Sequence, residues 1–287
     1  MQLDILQFIA GIALLLWSAD RLITYSITVA AHFRLPAFII GSTIVALGTS
    51  APEICVSVAA ALNDNAMVAV GNVIGSNIAN IGFLLGISLC ICPKLLHTDG
   101  YTIGNAQLLL GITTATWILC LFFALGYIVS AMLLSGFGVF MYYTIKHGRE
   151  NKAVATTAIT SALWPTVLYL VIALILLAWG AGLVANSAVK IARELAISEF
   201  IIGSTVVALS TSLPEFITAL ISALKKQHAL ALGNIIGSNI LNNTIALGCT
   251  GILAPSVLPA HVLSRDFPIL FAVTLLLLLL LKRVPKN

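Results

Sequence analysis

Apolar residues run along this chain in long stretches separated by short polar connections. The stretches have the length of membrane-crossing helices and lack the alternation that marks strands. They predict nine spans, near 5–30, 37–62, 67–91, 104–123, 127–146, 162–186, 198–224, 228–253 and 266–284. Backbone polar groups in lipid need internal partners, so the pattern reads as an all-α polytopic helix bundle. Two interruptions stand out. "ALGTSAPEI", residues 46–54, sets Glu53 after a proline in the middle of an apolar stretch, and "ALSTSLPEF", residues 208–216, does the same with Glu215.

The second interruption belongs to a repeat. Residues 41–86 align with 203–248 at a constant offset of 162, without a gap, and half of the positions are identical. Shared "PE", "GN" and "GSNI" cannot arise from leucine content alone. Five spans, an odd number, precede the second copy, so it enters from the opposite side and forms an inverted repeat. The organisation expected is a first repeat over 1–146 with its N-terminus outside, a cytoplasmic linker over 147–161, and a second repeat over 162–287. The same offset carries the fifth span to about 289–308, so the tenth helix of a two-by-five plan is expected to be missing or truncated here.

Composition agrees: 60% of residues are hydrophobic, 8% are charged, and the mean hydropathy is +1.09. Lys and Arg fix the orientation. The connections on the N-terminal side hold Lys190, Arg193 and Arg265, whereas the opposite side holds ten basic residues from Arg34 to Lys286 and is read as cytoplasmic. The net charge of +4 is thus a topology signal and not a nucleic-acid surface. The first span lacks a basic leader and is long enough to be retained. The five cysteines lie in apolar stretches and read as packing residues. The five histidines fall at or near loops, so an intramembrane hydrolase, which would need a nucleophile or a metal-binding histidine, has no support.

An ionised carboxylate within a membrane normally faces a partner, a cavity or an ion. Thr49 and Ser50 precede Glu53 by four and three residues and share its helix face, as Thr211 and Ser212 do for Glu215. Pro52 and Pro214 lack an amide hydrogen, which is expected to free carbonyls around Ala46 to Thr49 and around Ala208 to Thr211. Asn72, Ser76 and Asn80 form a polar stripe on the following helix, copied by Asn234, Ser238 and Asn242. The one basic residue well inside a span, Arg21, sits beside Asp20. Two carboxylates, hydroxyls and carbonyls form an oxygen-only cage suited to a hard cation such as Ca²⁺. The same charge of minus two also matches protons or Na⁺.

"GSTIVALGTSAPEICVS" with "GNVIGSNIANIG", and "GSTVVALSTSLPEFITA" with "GNIIGSNILNNT", resemble the two alpha repeats of the sodium/calcium exchanger family, within the cation/calcium antiporter superfamily. The likeness covers roughly 39–92 and 201–255 and fits a small prokaryotic-type member. It implies ten helices in two inverted halves, with long first and sixth helices that slide across the core. It further implies that Glu53 and Glu215 bind Ca²⁺ with the carbonyls of Thr49 and Thr211, and that Na⁺ sites draw on Ala46, Ser50, Ser76, Ala208, Ser212 and Ser238. Asn80 and Asn242 stand where members often carry an Asp, and Ser210 replaces the Gly48 of the first copy. The function expected is a secondary antiporter, not an enzyme, exchanging Ca²⁺ for Na⁺ by alternating access in the inner membrane of a prokaryote. A proton-coupled antiporter of the same fold remains as the alternative, and a cation channel as a more distant one. No cofactor is expected beyond the transported ions, and no nucleic acid or required protein partner besides the bilayer.

Overall fold

A computed structural model describes residues 2–96, 100–150, 162–197 and 208–283. Those residues form α1 (Gln2–His32), α2 (Ala37–Thr49), α3 (Ala51–Leu62), α4 (Ala66–Ile91), α5 (Gly100–Phe122) and α6 (Tyr127–Glu150). They continue as α7 (Leu163–Glu194), α8 (Ala208–Thr211), α9 (Leu213–Leu224), α10 (228–253) and α11 (Val262–Arg283). Among the described residues the one isolated β-bridge is antiparallel: Leu125 and Ser256 exchange two backbone bonds of 2.9 Å and tie two outer connections together.

By length and composition six of the described helices can cross a membrane, and the bent pair α2–α3 makes a seventh. Two of the nine expected spans fall outside that set for different reasons. The start of one, 198–207, lies outside the described residues, and α9 is its short remainder. The other, α10, has its hydropathy lowered by Asn234, Asn239, Asn242 and Asn243, and it is interior: every residue from 230 to 244 is buried. A helix enclosed on all sides by protein can carry asparagines that a lipid-facing helix cannot. Boundaries move as well. α6 runs on to Glu150, past the expected edge of the linker, and 151–161 lie outside the described residues.

α1 and α7 pack antiparallel over most of their lengths. At one end Lys190 Nζ stands 3.8 Å from Asp4 Oδ1, and towards the other the rings of Tyr25 and Tyr169 stack at 5.5 Å. The charged end of α7 explains why that helix outlasts its apolar stretch, which was expected to stop near 186. Trp17, Ile128, Trp164 and Trp179 project outward on α1, α6 and α7, as side chains bathed in lipid would. All five cysteines are free; Cys120 packs inside, while Cys55 and Cys90 face outward.

α2 meets α10 at closer range. A Cβ on Gly233 would stand 2.6 Å from the Phe38 carbonyl oxygen, and one on Gly237 would stand 2.6 Å from Ser42 Cα and closer still to the Ser42 carbonyl oxygen. Only glycine permits such an approach of two backbones. Phe38, Leu109, Phe140, Leu232 and Ile236 then close the apolar core beside this contact.

Candidate ion-binding site

The site begins with two broken helices. α2 ends at Thr49, Ser50 takes φ −84° and ψ 0°, and α3 leaves at 46° to α2. Ser212 repeats the break, with φ −90° and ψ 5°, between α8 and α9. Pro52 and Pro214 occupy the first turn of the outgoing helices, where a missing amide hydrogen costs nothing. Glu53 and Glu215 therefore project from the first turns of α3 and α9, whose unpaired amides favour negative charge.

Pro52 was expected to free carbonyls around Ala46 to Thr49, and within that stretch the carbonyl of Ala46 keeps its donors. Ser50 N donates to Ala46 O at 2.9 Å, Thr49 Oγ1 donates to the same oxygen at 3.3 Å, and Ile54 N donates to Ser50 O at 3.0 Å. Bending at Ser50 retains these bonds, and the carbonyl that loses its helical donor to Pro52 is that of Gly48. Ala208 and Thr211 bound the short helix α8 that precedes the second break.

Both glutamates are enclosed, Glu53 at 0% and Glu215 at 1% exposure. Each carboxylate is held by the serine of the other repeat. Ser50 Oγ donates to Glu215 Oε1 at 2.9 Å, and Ser212 Oγ donates to Glu53 Oε1 at 3.1 Å. This crossing joins residues more than 150 positions apart around a pseudo-twofold axis. The polar stripes of α4 and α10 brace the breaks. Asn72 Nδ2 donates to Glu53 O at 3.0 Å and to Ser57 Oγ at 2.9 Å, and Thr49 Oγ1 donates to Asn234 Oδ1 at 3.1 Å.

What remains is a set of buried polar atoms without partners: the Oε2 atoms of Glu53 and Glu215, Ser238 Oγ, and both side-chain polar atoms of Asn80 and of Asn242. Ser76 is buried on the same stripe as Asn80. Buried polar groups are almost always paired, so a concentration of orphans marks a place built for a guest. No basic side chain among the described residues pairs with either glutamate; Asp20 takes Lys225, at 2.6 Å, and the Arg21 guanidinium lies over the Trp17 ring. Among the described residues no cluster of three or more His, Cys, Asp or Glu exists, so hydroxyl, amide and carbonyl oxygens must complete any coordination shell around the two carboxylates. That donor set suits hard cations.

Four polar residues next to the site escaped the sequence reading. Asn77 Nδ2 donates to Asn239 O at 3.3 Å and to Asn243 Oδ1 at 2.9 Å, and Asn243 Nδ2 donates to Thr113 Oγ1 at 3.0 Å. Asn77 and Asn239 are the asparagines of the two "GSN" motifs, separated by the repeat offset, and their contact lies near the pseudo-twofold axis. Wider helical turns at Ala79–Leu84 and Asn242–Ala246 carry Asn80 and Asn242. Such π-type turns gather at functional sites.

The family described as sodium/calcium exchanger protein matches residues 3–146 and 165–286. A putative antiporter, CaxA of Alkalimonas amylolytica, is 38% identical over 97% of this chain and 89% of its own length. The sodium/calcium exchanger MaX1 of Methanosarcina acetivorans is 27% identical over 96% and 90%. A solved structure of the sodium-calcium exchanger NCX_Mj superposes with a TM-score of 0.85 at 31% identity, covering 98% of this chain and 91% of that one. These relatives are transporters, and the match extends over both repeats and their connecting helices. The chain belongs to the sodium/calcium exchanger family.

Proposed function

We propose that this protein exchanges Ca²⁺ for Na⁺ across the inner membrane of a prokaryote, by alternating access to a central site built on Glu53 and Glu215. The observation that carries the reading is the crossed serine–glutamate pairing, which leaves one oxygen of each carboxylate unpartnered in an interior where Asn80, Asn242 and Ser238 also hold unpartnered polar atoms. Two carboxylates balance one Ca²⁺, and Thr49, Thr211, Ser50 and Ser212 lie beside them at the breaks. Na⁺ competes for the same oxygens, with Ala46, Ala208, Ser76 and Ser238 supplying flanking donors.

Obligatory exchange follows from electrostatics. Two bare carboxylates in a dry interior are costly, so the transporter changes its open side only when cations neutralise them. The antiparallel pair α1–α7 is the element placed to slide over the rest, since its mutual contacts run along most of both helices.

The test is uptake of radiolabelled Ca²⁺ into proteoliposomes of the purified protein loaded with Na⁺, with K⁺, or carrying a proton gradient alone. Uptake only into Na⁺-loaded vesicles is expected. Uptake driven equally by the proton gradient supports the proton-coupled antiporter, and uptake needing no internal cation supports a channel.

Asn242 bears on the coupling. Its amide is buried with both polar atoms unpartnered and offers a carbonyl oxygen without charge. Asn242→Asp is expected to retain Ca²⁺ binding but to make Na⁺-driven exchange fall at acid pH, because the added carboxyl must ionise during the cycle. Superimposable pH profiles of parent and variant, both well folded, would remove Asn242 from the ion path.

A further inference from the structure

Beyond the glutamate, α9 carries a feature that its repeat partner α3 lacks. Leu213, Ile217 and Ile221 pack on the apolar cluster of α1 and α7, and Ala219 and Ala223 belong to the cluster shared with α4 and α10. Between these two faces lies a third, formed by Glu215, Thr218 and Ser222 at spacings of three and four. All three are buried.

Thr218 and Ser222 belong, with Ser26, Ser130 and Ser238, to the minority of buried hydroxyls that have no partner. Thr116, Thr244, Thr250, Thr274 and Ser88 each turn back onto the carbonyl four residues earlier, at 2.6 to 2.9 Å, which is how a buried hydroxyl is ordinarily satisfied in a helix. Thr218 Oγ1 and Ser222 Oγ have no partner. At the repeat-related positions the chain places Val56 and Ala60, so the helix geometry itself does not call for hydroxyls. On α3 the buried hydroxyl beyond Glu53, that of Ser57, is taken by Asn72, so unpartnered oxygens appear only on the half that leads from Glu215 to Lys225 and Lys226, on the basic, cytoplasmic side.

We propose that Thr218 and Ser222 line the cytoplasmic approach to the ion site, their hydroxyl oxygens replacing water around a cation on its way to Glu215. Along the helix axis they stand about 4.5 Å and about 10.5 Å from the glutamate. The first repeat has no matching ladder along α3, so the two sides of the transporter present different chemistry to the same ions. The inference rests on the Ca²⁺/Na⁺ exchange proposed above.

Proteoliposomes in which either face can be supplied with Ca²⁺ test it, using Thr218→Val, which keeps the shape of the side chain, and the double variant Thr218→Val/Ser222→Ala. The half-saturating Ca²⁺ concentration on the cytoplasmic face is expected to rise about tenfold in the double variant while the value on the outer face stays unchanged. Thr218→Ser/Ser222→Thr, which keeps both hydroxyls, is expected to restore the cytoplasmic value. An equal change on both faces, or none, overturns the inference. If the double variant does not fold, Thr218→Val alone carries the same comparison. A parent protein that shows no Na⁺-driven exchange would instead defeat the proposed function, which separates the two failures.

Discussion

Glu53→Gln and Glu215→Gln are each expected to abolish Na⁺-driven Ca²⁺ uptake while leaving the protein folded. The amide keeps the shape of the side chain and an oxygen that can accept from Ser212 or Ser50, so the crossed pairing survives. What disappears is one of two negative charges facing a divalent ion. Breaking a buried charge pairing in this way costs about 3 kcal/mol or more, equivalent to more than about a hundredfold in affinity. Folding responds in the opposite sense, because a neutral amide is less costly to bury than a carboxylate. Transport assays beside thermal melts in detergent separate the two effects. Exchange near the parent rate in either variant would remove the glutamates from the site.

Gly237→Ala is expected to be the most damaging single methyl group that can be added to the core. Its Cβ would meet the backbone of Ser42, with the Cα only 2.6 Å away, and no change of rotamer moves a Cβ. α10 must then withdraw from α2, and the bond from Thr49 to Asn234 goes with it. A loss of about 3 kcal/mol is expected, at the upper end of overpacking effects. Gly111→Ala on α5 is the control, since nothing lies within 4 Å of its added carbon and the position is exposed. There the better helix former should be neutral or stabilising by about 0.5–1 kcal/mol. Equal melting of the two variants would mean that α2 and α10 are not in close contact.

The features legible in the sequence were those that depend on spacing along one helix. Apolar stretch lengths marked most of the helices, and the constant offset pointed to both glutamates and to the polar stripes of α4 and α10. Features that depend on what crosses between helices were not legible. Nothing in the string "TSAPE" says that Ser50 serves Glu215 and not Glu53, which lies three residues away on the same chain. Asp20 looked like the companion of its neighbour Arg21, yet folding brings Lys225 to it across 205 positions. The proline was read as releasing carbonyls around Ala46 to Thr49; the chain bends two residues before it, at Ser50, and keeps the bond to Ala46, so the carbonyl that loses its helical donor to the proline is that of Gly48. α10 was expected as one more span, and hydropathy cannot distinguish a helix wrapped in protein from one wrapped in acyl chains. Its asparagines were the available hint.

The exchange of serines between the two glutamates also bears on how such a molecule could have come into being. Either half alone has a carboxylate but lacks the hydroxyl that steadies it, because that hydroxyl is carried by the other half. A half-length ancestor could have completed its site only by meeting another copy of itself inserted upside down in the same bilayer. Joining two such copies into one chain makes that encounter permanent, and thereafter a change at Ser50 or Ser212 is felt first at the glutamate of the opposite half.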